Sequence, residues 1–296
     1  MKLGLIINPK AGGGLDKNKL KLIVSVLKKL NPDIVYTSSK LIKIPFKVVD
    51  VPINFKGDRS DTLELTKKLD EIVDVIVVFG GDGTISDVAS VKPKTPLLCI
   101  GIGTTNVSPT LCDPNFNFDE LKAVRVSGLE LKVKNEVRIA FNDVVVGSTI
   151  LTTVNGKRVQ VDAREFMKGR KVVVKPRKFR ARIEVGDRCI EGVFGNVFIA
   201  LTDKRFLGKG ITGGVALSTF LGFKAVVACI SEGIIVSTYT KDDLKAIEPI
   251  ITKTISFDDE VVKIYANEII SCDGNPVAEG YAEVRVVDDV VTVLKV

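Results

Sequence analysis

The sequence predicts an α/β N-terminal domain with a parallel, Rossmann-like sheet, followed by a β-rich, β-sandwich-like C-terminal domain. Three observations carry this. Short continuous apolar runs at 3–8, 73–79 and 95–100 have the length and composition of strands buried on both faces. Helix-spaced segments separate them. From about residue 129 that spacing gives way to many short, β-branched or alternating runs with turn signals between them. The change in character begins near 115, and the domain division is set at 118/119.

In chain order, LGLIIN (3–8) is the first buried strand. Asp16 can cap a helix over 17–30, in which Leu20, Ile23, Val24, Leu27 and Leu30 recur at helical spacing, and Pro32 follows its end. FKVVDVPI (46–53) reads as a second strand and 59–72 as a helix, with Leu63, Leu65, Leu69 and Ile72 apolar. VDVIVVF (73–79) and TPLLCI (95–100) complete the sheet. The second half offers ELKVKNEVRIAF, VFGNVFIAL, FKAVVACI, GIIVSTY, TKTISF, EVVKIYA, AEVRVV and VVTVLKV as strands, with only 240–248 helical in character.

Composition narrows the chemistry. The chain of 296 residues is 45% apolar and 27% charged, enough for a sizeable core. No run approaches the roughly 20 apolar residues that span a bilayer. The N-terminal apolar run ends at Pro9, too short for a secretion signal, so a cytoplasmic protein without integral membrane association is expected. Five widely spaced cysteines form no CxxC pair, which argues against a disulfide framework or a zinc knuckle. Histidine is absent, so imidazole-based triads are excluded and a general base must come from Asp, Glu, Lys, Tyr or Cys.

Three glycine-rich turns follow three of the strands. Gly80-Gly81-Asp82-Gly83-Thr84 ends a buried run and starts a helix-like stretch. Glycine lets backbone N–H groups approach a ligand, and the positive end of a helix dipole lies at the same place, a geometry that favours phosphate. Asp82, a lone carboxylate there, is a candidate general base or metal ligand, and a plain strand-to-helix turn with a capping Asp is the alternative. Asn8-Pro9-Lys10-Ala11-Gly12-Gly13-Gly14 is a second such turn, and Gly101-Ile102-Gly103-Thr104-Thr105-Asn106 a third. Neither is a P-loop or a GxGxxG fingerprint. In open α/β sheets ligands bind beyond the carboxyl ends of the strands, where all three turns fall.

In order and spacing, NPKAGGG, GGDGT and GIGTTN resemble the superfamily that joins NAD kinases with diacylglycerol and sphingosine kinases, over roughly residues 3–110. The resemblance implies phosphoryl transfer from ATP or polyphosphate, with Mg²⁺, to a hydroxyl. It gives Asp82 the role of activating that hydroxyl. It assigns phosphate and nucleotide binding to Asn8, Gly12, Gly13, Gly14, Gly80, Gly81, Gly83, Thr84, Gly103, Thr104, Thr105 and Asn106. Lys10 is a further candidate for charge neutralisation.

Asn142-Asp143 opens the β half and looks like the Asn-Glu/Asp motif of NAD kinases, which binds the nucleotide acceptor. Asn supplies a donor and an acceptor, and Asp can accept two hydroxyl hydrogens. An Asn-Asp turn between strands is the plain alternative. Lipid kinases of the group carry GTGND and a late Asp-Gly-Glu; here Val107 and Asn275 replace the two acids. The usual Gly-Ser-Thr-Ala-Tyr segment of NAD kinases is also missing, and Phe206–Gly214 looks more like a divergent ATP-NAD kinase-like branch. The resemblance implies phosphorylation of the 2′-hydroxyl of the adenosine ribose of NAD, giving NADP, by a homo-oligomer. A lipid kinase and a catalytically silent nucleotide-binding protein are the alternatives.

The net charge of +7 is concentrated. Residues 157–182 carry eleven Lys/Arg and two acids, leaving the rest at −2. Along 178–185 charged and apolar residues alternate, as on a strand with one solvated face. Attraction of an anionic dinucleotide or polyphosphate, a membrane surface or an acidic subunit are further readings. Sparse aromatics speak against nucleic acid.

Overall fold

The computed structural model describes residues 1–39, 41–103, 106–154, 157–202, 213–233 and 251–296. The chain forms two compact units, Met1–Gly128 with Val287–Val296, and Leu129–Val286.

The first unit alternates β1 (Lys2–Ile7), α1 (Lys17–Leu30), β2 (Ile34–Thr37), β3 (Val48–Asp50), α2 (Arg59–Leu69), β4 (Val75–Gly80), α3 (Asp82–Ser90) and β5 (Leu97–Gly101). The strands are parallel, in the order β5-β4-β1-β2-β3. Every residue of β4 is buried, as a strand covered on both faces requires. On one face, Ile23, Val26, Leu27 and Leu30 of α1 pack with Leu3, Leu5, Ile7, Val77 and Phe79. On the other, α2 and α3 pack together, and Gly4 of β1 lets Leu69 of α2 come close.

The ends of the helices follow from side-chain chemistry. The Asp16 carboxylate accepts the N–H groups of Asn18 and Lys19 and caps α1, and Asp58 caps α2 through Ser60. The predicted helix over 59–72 stops at Leu69. Asp70 turns its carboxylate to the N–H groups of Lys94 and Thr95, Glu71 takes a positive φ of 64°, and Ile72 is exposed. The predicted strand over 46–53 shrinks to Val48–Asp50, since Pro52 has no N–H for a ladder. An additional short strand, β2, lies between it and β1.

β2 lies on one side of β1 and β4 on the other. That reversal of strand order is the topological switch point, where open sheets place their ligands. The first and second glycine turns leave the carboxyl ends of these two central strands.

The second unit holds β6 (Lys122–Val133, from Leu129 onward), β7 (Glu136–Ala140), β8 (Asp143–Gly147), β9 (Thr149–Val154), β10 (Lys157–Asp162), α4 (Ala163–Met167), β11 (Phe179–Val185), β12 (Arg188–Phe194), β13 (Asn196–Leu201), α5 (Gly213–Phe220), β14 (Ala225–Ile230), β15 (Thr252–Phe257), β16 (Val262–Ala266), β17 (Ile269–Cys272), β18 (Asn275–Glu279) and the start of β19 (Ala282–Lys295). One antiparallel sheet runs β15-β14-β13-β8-β17-β18. β12-β11-β16-β19 forms a second antiparallel layer. Val144, Val197, Val227 and Ile270 of the first share a core with Ala181, Ile183, Ile264 and Val284 of the second, which makes this unit a sandwich.

The chain leaves the first unit within β6 at 128/129, and β19 carries it back at 286/287. The runs AEVRVV and VVTVLKV are one strand, because Asp288 and Asp289 interrupt its apolar pattern without ending it. Helices α4 and α5 lie outside the expectation of a single helix at 240–248, and that segment, with 234–239 of GIIVSTY, is outside the described residues.

The return of β19 is a testable dependence of the first unit. Val293 is fully buried and pairs with Leu97 of β5. Val293→Ala is expected to lower stability by about 2 kcal/mol through lost burial and a residual cavity, measured by urea denaturation.

Candidate phosphate and acceptor sites

The three turns of the first unit are locked to one another by backbone contact. Gly12 adopts φ of +55°, and a Cβ there would lie 2.5 Å from the Ile102 carbonyl oxygen of the third turn. A Cβ on Gly103 would lie 2.7 Å from Cα of Gly81 in the second. Only glycine allows these approaches.

Polar side chains brace the same turns. Asn8 donates from Nδ2 to Thr84 Oγ1 at 2.9 Å and accepts the Lys10 N–H, tying the first turn to the second. Asn106, with φ of 53°, uses both ends of its amide on Gly103, accepting its N–H and donating to its carbonyl, each at 2.9 Å. Asp82 Oδ1 accepts the N–H groups of Val107 and Ser108 at 3.1 and 2.9 Å. Among the described residues its Oδ2 has one long contact, 3.2 Å from the Val107 nitrogen. The carboxylate proposed as a base therefore also holds the third loop in place.

With these side chains engaged, the main chain is left for a ligand. Gly81 is the N-cap of α3, and the N–H groups of Asp82 and Gly83 have no partner among the described residues. They stand at the positive end of the helix. In the first turn Gly12, Gly13 and Gly14 all have positive φ. Lys19, which sequence reasoning missed, reaches back from α1 and donates to the carbonyls of Ala11, Gly12 and Gly14 at 2.9, 2.8 and 2.7 Å. It gathers the turn's carbonyls and leaves a cation beside the glycines. Lys10 instead donates to the Gly57 carbonyl at 2.7 Å. Thr104 and Thr105 lie outside the described residues.

The second unit presents Asn142 and Asp143 where β7 gives way to β8. The turn is held by Asp273, which follows β17. Asp273 Oδ2 accepts the Phe141 N–H at 2.9 Å, and Oδ1 accepts those of Asn142 and Asp143 at 2.8 and 3.2 Å. The Asp273 N–H returns a bond to the Asp143 carbonyl at 3.0 Å. Burial pushes the Asp273 carboxyl up to about 7, with the neighbouring Asp143 adding to the rise and the N–H groups opposing it. Burial likewise pushes Asp143 up to about 6. The side chains of Asn142 and Asp143 have no hydrogen-bond partner among the described residues. Asp273 was visible in the sequence only as half of an incomplete Asp-Gly-Glu.

Much of the basic segment is ion-paired. Arg177 meets Glu268 and Asp162, Lys178 meets Glu232, Arg180 meets Glu191, and Arg182 meets Glu184. β11 buries Phe179, Ala181, Ile183 and Val185 and turns its charged residues outward, as the alternation predicts.

Comparisons with known proteins agree with this architecture. Residues 2–124 match the diacylglycerol kinase catalytic domain family. A protein of Archaeoglobus fulgidus described as uncharacterized is 62% identical over 295 residues, covering 100% of this chain and 98% of its own length. A diacylglycerol kinase crystal structure from Bacillus anthracis superposes with a TM-score of 0.58 at 16% identity, covering 99% of this chain and 96% of that one. Yeast NADH kinase complexed with NADH gives 0.51 at 15% identity, covering 100% and 82%.

The backbone lock is open to test. Gly103→Ala places a methyl against Cα of Gly81, and the expected loss is about 1–3 kcal/mol from overpacking. Urea denaturation measures that loss. Calorimetry should show any nucleotide binding weakened more than the stability loss alone accounts for, because the turns are forced apart.

Proposed function

We propose that this chain, whose residues 2–124 match the diacylglycerol kinase catalytic domain family and whose fold is shared with a diacylglycerol kinase and an NADH kinase, transfers a phosphoryl group from ATP to the 2′-hydroxyl of the adenosine ribose of NAD. Phosphoryl transfer depends on positioning and charge neutralisation more than on covalent chemistry. The glycine turns at the ends of β1 and β4 suit the donor phosphates, with main-chain N–H groups at the start of α3 and the Lys19 ammonium beside the first turn. Mg²⁺ would neutralise charge on those phosphates. Asp82 Oδ2, with a single long N–H contact among the described residues, has lone pairs left for the hydrated ion or for the acceptor hydroxyl. Asp82 then orients and deprotonates that hydroxyl.

The observation that carries the choice of acceptor is the Asn142–Asp143 turn. It is fixed from below by Asp273, while its own side chains have no partner among the described residues. A carboxylate can accept both hydrogens of a ribose diol, and an amide can read a base edge. The match of residues 2–124 to the diacylglycerol kinase family favours a second reading, a lipid alcohol as acceptor.

Purified protein with ATP, Mg²⁺ and NAD is expected to form NADP. Nucleotide binding without NADP, together with phosphorylation of a lipid alcohol on vesicles, would move the assignment to the second reading. Asp82→Asn retains an oxygen acceptor for the Ser108 N–H, so ATP binding should persist while kcat falls by about 10²–10⁴. Asp82→Ala should lose binding as well.

A pH dependence follows from Asp143. Its carboxyl, raised to about 6, can accept both hydrogens of a diol when ionised, whereas protonation turns one oxygen into a donor. Affinity for NAD is expected to fall as the pH drops through about 6, and Asp143→Asn should flatten that profile. Calorimetric titration on either side of that pH checks it.

A further inference from the structure

Where the β6–β7 turn, α4 and the β17–β18 hairpin come together, the second unit has an open cavity of about 550 Å³. That size falls in the range of small-molecule sites. α4 packs on β18, and β17 packs on β7. Val133, Ile269 and Ala278 form a buried aliphatic floor, with Val277 beside them. β7 and the hairpin run from this cavity to the Asn142–Asp143 turn. At about 3.4 Å per residue that turn is on the order of 15 Å away, so the two sites are separate.

Two cations on the cavity wall have donors to spare. The Asp162 carboxylate caps α4 by accepting the Glu165 N–H, which sets Arg164 in the first turn. Arg164 Nη2 donates to the Asn267 carbonyl at 2.9 Å and to Glu279 at 2.7 Å. Its Nε is buried and has no acceptor among the described residues, which is a costly state for a donor. Lys134 stands in the two-residue turn between Val133 and Glu136 with φ of 53°, where glycine or asparagine is the ordinary choice. Its ammonium has no partner among the described residues. The other charges on the wall are engaged: Glu136 meets Arg138, Glu279 meets Arg164 and Lys168 meets Glu165. In the concavity on the outer face of β11 and β16, by contrast, Arg180 is paired with Glu191 and Arg182 with Glu184.

We propose that the cavity binds a small aliphatic carboxylic acid in its ionised form. Arg164 Nε and Lys134 Nζ take the carboxylate, and the chain lies on Val133, Ile269, Val277 and Ala278. Free donors on two cations call for an oxyanion, and charge-assisted hydrogen bonds are the stronger kind. Among the described residues no aromatic ring lines the cavity, which suits an aliphatic body and not a nucleobase. The inference does not depend on which hydroxyl is phosphorylated.

Calorimetric titration of the full chain with hexanoate, acetate and hexan-1-ol tests it. Hexanoate is expected to saturate one site. Acetate lacks the chain and hexan-1-ol lacks the charge, and each should bind at least about tenfold more weakly. Lys134→Asn should weaken hexanoate binding several-fold while the midpoint of thermal unfolding holds or rises, because asparagine suits the turn. Arg164→Lys keeps a cation for Glu279 and removes the Nε donor, so hexanoate binding should fall on the order of tenfold. No saturable binding, equal binding of hexanoate and hexan-1-ol, or hexanoate binding that neither variant weakens would overturn the proposal. So would full competition by ATP, which would put the acid in the phosphate turns of the first unit.

Discussion

Backbone packs against backbone where Gly12, Gly81 and Gly103 meet, and the arrangement of the first unit follows from that contact. A Cβ at Gly103 would sit 2.7 Å from Cα of Gly81, and one at Gly12 would sit 2.5 Å from the Ile102 carbonyl. Three turns can approach this closely only if their strands are neighbours of one hand and one direction, which the order β5-β4-β1 supplies. It also requires that no side chain intervene. The polar residues of the motifs accordingly spend their hydrogen bonds on the turns themselves, Asn8 on Thr84, Asn106 on Gly103 and Asp82 on Val107 and Ser108.

This division of labour changes how the motif residues are understood. A phosphate cradle made of main-chain N–H groups needs no side chain to touch the ligand, but it needs the main chain held still. Asn8 and Asn106 act by holding it. Asp82 braces the third loop with both carboxylate oxygens, Oδ1 on Val107 and Ser108 and Oδ2 more distantly on Val107. Lys19 adds a third kind of support. By collecting three carbonyls of the first turn it offsets their negative ends, which would otherwise oppose an anion.

The parts legible in the sequence were those fixed by local patterns. The apolar runs of β1, β4 and β5, the Asp16 cap and the face of α1, and the alternation along β11 all rest on neighbours within a few residues. The illegible parts depend on distant partners. β2 is four residues long and too short to show a period. The return of β19 has no local signal, since its last residues look the same whichever unit they join. Lys19 reads as one more lysine on an amphipathic helix until the turn folds back over it. Asp273 lies about 130 residues from the backbone groups it holds, and its significance comes entirely from that closure.

The carboxylates of the second unit show what that closure costs. Asp143 and Asp273 are neighbours and half-buried, and both carboxyls are raised, to about 6 and about 7. A raised carboxyl binds a proton more tightly folded than unfolded. These two groups therefore favour the fold most below the unfolded carboxylate range, and their contribution diminishes as the pH rises through about 4 to 7. At neutral pH both raised carboxyls work against the fold relative to acid pH. Asp273 has a structural return, since three backbone N–H groups point at it and would be left unpaired by a hydrophobic replacement. Asp143 has no such return among the described residues. Among the described residues the backbone turns three N–H groups to Asp273 and none to the half-buried Asp143 side chain, so the two acids differ in what folding asks of them.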